Sequence, residues 1–185
     1  NSFFNIKNHS QHKKGIAVAR AGNVIGGGDW SKDRLIPDIA KAFALEKPVT
    51  IRNPQSVRPW QHVLEPVIGY LLIGANLSAE PVMFSQAYNF GPHLSDALTV
   101  EEMLKLAITS WGRGEYIVEK VEGQPHEAGL LKLDISKVMA ELKWQPKMNA
   151  QQAVSMTMDW YNQFKIKRSE INLFTESQVK YFLNA

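Results

Sequence analysis

Three arginines, Arg34, Arg52 and Arg58, are the side chains here best suited to hold a strongly anionic ligand. A guanidinium offers a planar fork of N–H donors that matches phosphate oxygens two at a time. Taken singly, each arginine is as well explained by a surface ion pair with a nearby carboxylate. Arg34 sits in a more suggestive setting, because it follows Gly26-Gly27-Gly28 and precedes Leu35-Ile36-Pro37. Glycines let backbone N–H groups approach an anion closely, and a helix start directs more of them at it. The alternative for Gly26 to Gly28 is a plain tight turn, as in any strand–loop–helix unit.

Other groups divide between chemistry and packing. His126-Glu127 sets an imidazole beside a carboxylate, which suits proton transfer. No further His or Cys stands at ligand spacing, so no metal site is indicated. The competing explanation is a loop pinned by a histidine hydrogen bond. His62 divides in the same way between lining a pocket and sitting satisfied in the core. Trp60 is open between stacking on a base or sugar and packing inside, and Phe90 reads as core. Tyr161-x-x-x-Lys165 has the spacing that puts a phenol and an ammonium on one helix face, where the cation lowers the phenol pKa. Such a two-residue pattern arises easily by chance, and Trp160-Tyr161 reads instead as an apolar anchor of the last long helix.

The elements that must position these groups follow from periodicity and punctuation. Ile16, Val18, Val24 and Ile25 predict a buried strand ahead of the glycines. Pro37 to Glu46 predicts a helix with Ile36, Ile39, Ala40 and Phe43 on one face, ended by Lys47-Pro48. Val49 to Arg52 predicts a strand and Asn53-Pro54-Gln55 a turn. Residues 56–65 read as extended, with Pro59 and Pro66 opposing an early helix. Residues 66–77 form a helix apolar on most sides, which implies burial on more than one face. Ala87 to Gly91 is a short strand. Thr99-x-x-Glu102 is a capping box for a helix that Gly112 stops. Strands are expected at 116–121 and 131–134, and a helix at 136–142 closed by Trp144-Gln145-Pro146. Asn149 caps a helix reaching about Phe164. Asn1 to His12 reads as a helix remnant and polar loop, with Phe3 and Phe4 lacking an obvious partner. In the tail, Thr175-x-x-Gln178 predicts a second capping box and a short helix that docks on the body, the competing reading being a loose chain end.

Bulk properties narrow the function classes. The 185 residues carry 21 basic and 18 acidic side chains, interspersed, which is not a nucleic-acid footprint. No apolar run, including Val67 to Leu77, reaches the length of a membrane span. The chain has no cysteine, which excludes disulfide and thiol chemistry and accords with a cytoplasmic setting. No secretory leader pattern is present. The chain starts at an asparagine within what reads as a helix tail, and it is expected to be a portion of a longer protein.

Four blocks taken together resemble one family. They are Arg20-x-x-Asn23-Val24-Ile25-Gly26-Gly27-Gly28-Asp29-Trp30 with Asp33-Arg34-Leu35-Ile36-Pro37-Asp38, then Arg58-Pro59-Trp60-Gln61-His62-Val63-Leu64-Glu65-Pro66, Tyr88-Asn89-Phe90-Gly91-Pro92, and Pro125-His126-Glu127-Ala128 leading to Leu131-Lys132-Leu133-Asp134. Over residues 1 to about 161 the sequence is similar to the extended short-chain dehydrogenase/reductase family that modifies nucleotide sugars. It looks most like the subgroup acting on CDP-glucose. The resemblance implies an α/β fold: the C-terminal part of such an enzyme, with a few strands of a Rossmann-type sheet plus a small α/β substrate-binding domain. Residues 1–30 and 63–92 would be a remnant of the NAD-binding domain, 31–62 and 93–164 the nucleotide-sugar domain, and 165–185 a tail.

For the intact protein the resemblance implies a lyase with tightly held NAD. It would convert CDP-glucose to the 4-keto-6-deoxy sugar nucleotide, a precursor of bacterial surface polysaccharides such as lipopolysaccharide O-antigen, and act as a homodimer. Asn23 would bond a phosphate oxygen, Arg58 the diphosphate, Arg34-Leu35 would run along the nucleotide and Arg52 near the base. Trp60, His126 and Glu127 complete the expected substrate site. Relatives acting on other nucleotides carry an arginine near His126-Glu127, so that departure leaves its contact open. The family's catalytic Tyr-x-x-x-Lys precedes Arg-x-x-Asn, whereas Tyr161 and Lys165 follow it. No Gly-x-x-Gly-x-x-Gly is present for the cofactor. The chain alone is therefore expected to be inactive. Two alternatives stand: another epimerase, dehydratase or decarboxylase of the same family, or a non-catalytic module that binds a nucleotide sugar.

Overall fold

Gly22 divides the first strand between two partners. In the computed structural model, which describes residues 3–119 and 129–185, β1 (Val18–Ala21) runs parallel to β6 (Ala87–Phe90), and β2 (Asn23–Ile25) runs parallel to β5 (Trp60–His62). At the crossing the Gly22 N–H donates to the Phe90 carbonyl (2.9 Å) and the Asn23 N–H to the Pro59 carbonyl (2.8 Å). A Cβ on Gly22 would press onto that Pro59 carbonyl, so only a residue without a side chain lets the strand change partners there. Phe90 joins the two pairs a second time, since its carbonyl also accepts from the Gln61 amide (2.7 Å).

Two further pairs frame the opposite side. β3 (Val49–Ile51) runs parallel to β8 (Tyr116–Val118), and β4 (Val57–Arg58) runs antiparallel to β7 (Leu98–Thr99). The helices are α1 (His9–His12), α2 (Leu35–Ala44), α3 (Leu64–Ala79), α4 (Pro81–Phe84), α5 (Val100–Trp111), α6 (Ser136–Leu142), α7 (Ala150–Ile166) and α8 (Ile171–Asn184). The predicted stripe of α2 (Ile36, Ile39, Ala40, Phe43) packs with Met103 and Leu104 of α5 and Val154 and Met158 of α7 around Ile25 and Trp60. A second core joins Ile73, Tyr88 and Phe90 to Val138, Leu142 and Trp144.

Helix ends follow the sequence closely where caps specify them. The Thr99 hydroxyl accepts from the Glu102 N–H (3.1 Å) and the Glu102 carboxylate accepts from the Thr99 N–H (2.8 Å); Gly112, at φ 87°, ends that helix. Asn149 and Gln152 make the same reciprocal pair, both bonds 2.9 Å. Several expectations are corrected. Residues 131–134 form no strand; only an isolated parallel bridge joins Val57 to Leu130. Pro66 does not delay its helix, because α3 starts at Leu64 and places Pro66 in the first turn, where a missing N–H removes no helical bond. Thr175 is no cap: it lies inside α8, and its hydroxyl donates to the Ile171 carbonyl (2.8 Å). The tail does dock, with Phe182 buried against Met148 and Met156.

α3 buries a narrower stripe than its composition implies. Glu65, Pro66, Gly69 and Ile73 are covered, while Val67, Tyr70 and Leu71 remain exposed among the described residues. Gly69 sets how closely this helix lies on β6, because a Cβ there would fall inside the Phe90 ring. Gly74, five residues on, faces open space. Glycine-to-alanine changes at the two sites should therefore have opposite signs. Gly74→Ala gains helix propensity and should stabilise by about 0.5–1 kcal/mol. Gly69→Ala should destabilise by about 1–3 kcal/mol through overpacking. Urea midpoints of the two variants check the pair, and a rise for Gly69→Ala would contradict the packing described.

Candidate functional site

The turn from β2 into α2 forms one wall of a cleft of about 1130 Å³. Every described residue expected at the substrate site lines it: Asn23, Arg34, Leu35, Arg52, Arg58 and Trp60. His126 and Glu127 lie outside the described residues. The parallel register sets Asn23 opposite Trp60, so two segments far apart in sequence reach the cleft side by side. Arg34 is the N-cap of α2, with extended backbone (φ −116°, ψ 129°) and no side-chain cap bond. The first N–H groups of a helix have no partner inside it; here those of Leu35 and Ile36 belong to residues that line the same cleft as Arg34, while Pro37 has none and the Asp38 N–H donates to the Arg34 carbonyl (3.0 Å). Arg52 enters just beyond β3. Arg58 is brought in by the β4–β7 pair; its side chain is buried and its Nη1 donates to the Val57 carbonyl (2.9 Å). Arg34 and Arg52 are exposed.

Trp60 belongs to both of its readings, lying in the main core and also on the cleft wall. Phe90 is fully buried, as expected of a core residue. His62 sits in the interior rather than on the cleft, 3% exposed. The Leu64 N–H points at its Nδ1 (3.4 Å), which puts the ring proton on Nε2, where no acceptor stands. Burial holds its pKa near 4, against an ordinary 6.5. Tyr161 is buried with its hydroxyl donated to the Asp29 carbonyl, and burial raises its pKa above the ordinary tyrosine value. That phenol is a structural strut, and Lys165 is exposed away from the cleft.

The carboxylates Asp29, Asp33 and Asp38 also line the cleft and were not singled out in the sequence. The Ser31 side chain and, after it, the Ser31 N–H (2.9 Å) hold Asp29 below the usual carboxylate range. Asp38 is pushed up by burial, against the pull of Lys41. Their proximity to Arg34 in sequence was the available signal. Ser56 and Val100, by contrast, reach the cleft only through the fold around β4 and β7, and no local pattern marks them.

The same loop does not fit a dinucleotide. Gly26 to Gly28 follow a strand, but the helix begins only at Leu35, and a Cβ on Gly27 would fall inside the Trp160 indole. The glycines pack against the protein's own side chains, Gly26 against Val63 and Gly27 against Trp160 of α7. No glycine-rich turn running directly from strand into helix occurs among the described residues, so no chemistry is derived through a nicotinamide cofactor.

Comparisons with known proteins agree with the resemblance. Over all 185 residues the chain is 43% identical to the CDP-glucose 4,6-dehydratase of Salmonella typhimurium, and it spans 51% of that protein. Among solved structures it is similar to the Bacillus cereus UDP-glucuronic acid 4-epimerase in complex with UDP-glucuronic acid and NAD (TM-score 0.69, 18% identity, 84% of this chain and 48% of that one). It is also similar to the dTDP-glucose 4,6-dehydratase of Bacillus anthracis in complex with NAD (TM-score 0.66, 20% identity, 90% and 50%). No family model matches. The fold is shared with part of these Rossmann-type structures, and the chain spans about half the length of the relatives it matches.

His62 generates a pH prediction. Its depressed pKa means that the unfolded chain takes a proton below about pH 6.5 that the folded chain refuses until about pH 4. Its contribution is present above 6.5 and is lost as pH falls towards 4, amounting to ~3 kcal/mol at most. His62→Gln should lack this acid loss, so the stability gap between variant and parent should shift in the variant's favour from pH 7 to pH 4. Urea titrations at a series of pH values check it; a gap that stays constant would contradict a buried neutral imidazole.

Proposed function

We propose that this chain is the nucleotide-sugar-binding portion of a CDP-glucose 4,6-dehydratase, the NAD-dependent lyase that converts CDP-glucose to CDP-4-keto-6-deoxyglucose with loss of water. The observation that carries this reading is the single cleft shared by Asn23, Arg34, Arg52 and Arg58, together with the 43% identity over the whole chain. A sugar diphosphate brings two negative charges and a row of acceptor oxygens. The α2 start, the Arg34 fork and the Arg58 guanidinium supply donors for those oxygens. The Asn23 amide would add an uncharged donor, and Arg52 would lie near the base. These residues bind, neutralise and orient; proton and hydride transfer would fall to groups other than the described ones of the cleft. Among the described residues no helix is long and apolar enough to cross a membrane. The enzyme would work in the cytoplasm and make precursors of bacterial surface polysaccharide such as O-antigen.

Calorimetric titration with CDP-, UDP- and dTDP-glucose tests the assignment, with CDP-glucose expected to bind tightest. Arg34→Ala and Arg52→Ala should each weaken it about 10- to 100-fold, the value of a charge-assisted hydrogen bond. Lys165→Ala, on the exposed face of α7, should leave affinity unchanged. Preference for UDP- or dTDP-glucose would move the assignment to another enzyme of the same group. Absence of saturable binding by all three would remove it.

A further inference from the structure

The C-terminal helix α8 makes no part of the cleft lining, yet it is bonded to the group on which one cleft wall rests. The wall is the loop after β2, of which Gly26, Gly27 and Asp29 line the cleft. Three contacts fix this loop from below. Gly27 lies on the Trp160 indole so closely that any Cβ would enter the ring. The Tyr161 hydroxyl donates to the Asp29 carbonyl. Trp30 packs edge-on to Tyr161 (5.2 Å between centroids) and against Phe164 (5.1 Å). Trp160 and Phe164 are stacked at 5.3 Å, so the four rings form one block.

The orientation of Trp160 within that block is set from outside it. An indole has a single hydrogen-bond donor. Here Nε1 donates to the Thr175 hydroxyl of α8 (2.8 Å), which itself donates to the Ile171 carbonyl (2.8 Å). The hydroxyl proton is thereby committed to the helix, leaving a lone pair aimed at the indole. α8 is held elsewhere by independent bonds, Gln178 to the Met156 carbonyl (2.7 Å) and Lys147 to the carbonyls of Phe182 (3.2 Å) and Ala185 (3.0 Å). Thr175 is thus the point at which α8 acts on the cleft wall rather than on the stability of the helix pair alone.

We propose that Thr175 is a positioning residue: through Trp160 it fixes the Gly26–Asp29 wall and so sets the affinity of the cleft for its diphosphate-bearing ligand. This rests on the reading of the cleft given above. Thr175→Val keeps shape and removes the acceptor, while Thr175→Ser keeps the hydroxyl. Two measurements on the protein decide the matter, amide hydrogen exchange at residues 26–30 without ligand, and calorimetric affinity for CDP-glucose. Thr175→Val should speed exchange at 26–30 and weaken binding about three- to tenfold, with Thr175→Ser restoring both. Gln178→Ala, which loosens α8 without touching Trp160, should lower the melting temperature but leave both readouts at parental values. The proposal is overturned if Thr175→Val leaves the exchange unchanged, if exchange rises while affinity holds, or if Gln178→Ala reproduces both effects. Parental protein that binds no nucleotide sugar would instead sink the assignment of the cleft, and the exchange arm would still decide whether Thr175 orders the wall.

Discussion

The pairing of β2 with β5 sets where the cleft residues stand. Asn23 donates its N–H to the Pro59 carbonyl and faces Trp60, and the Val63 N–H closes the other end of the ladder on the Ile25 carbonyl (2.8 Å). A shift of one residue would exchange the sides on which Asn23 and Val24 carry their side chains, because alternate strand residues face opposite sides. Gly22 guards that register: it hands the strand from β6 to β5, and its lack of a side chain is needed against Pro59. Arg34, Arg52 and Arg58 are delivered separately, by the α2 N-cap, the end of β3 and the β4–β7 pair.

The stretch from β4 through β5 into α3 buries polar groups closely spaced, with Arg58, Gln61, His62 and Glu65 all nearly inaccessible. Each costs stability unless bonded, and two of them serve as ties. Gln61 bonds the Phe90 carbonyl. Glu65 accepts from the N–H groups of Lys147 (2.9 Å) and Met148 (2.8 Å), joining the start of α3 to the approach of α7, and its pKa is raised because burial outweighs those bonds. The satisfaction is incomplete: the His62 imidazole N–H has no acceptor among the described residues, and the Gln61 Oε1 and Trp60 Nε1 beside it are likewise without a partner. Hydrophobic contacts hold the two main cores, but these polar ties set their relative position at the place where the cleft opens.

How much of this was legible in the sequence depended on whether the cause was local. Thr99-Glu102 and Asn149-Gln152 state their helix starts outright, since the capping bonds form within four residues. The α2 stripe predicts its own buried face. Arg34, Arg52 and Arg58 were legible as a site only through the order of blocks, because their convergence comes from strand pairing that no local pattern encodes. Thr175 misled for the opposite reason: its spacing to Gln178 is that of a cap, but Ile171 already starts the helix and the indole of Trp160 takes the hydroxyl lone pair. Residues 131–134 looked strand-like by alternation, yet beyond the single bridge at Leu130 no neighbouring strand offers them a ladder.

Charge in the cleft is arranged rather than accumulated. Among the described lining residues, Arg34, Arg52 and Arg58 are matched in number by Asp29, Asp33 and Asp38. A cleft balanced in this way does not act as a general anion trap, and long-range steering of a charged ligand is correspondingly weak. Selectivity must then come from where each charge sits. Ser31 keeps Asp29 ionised, whereas burial works against ionisation of Asp38 near the helix start, where an anionic ligand would compete with it. A cleft with its charges placed in this way can hold an anion at one position while remaining unattractive to anions in general.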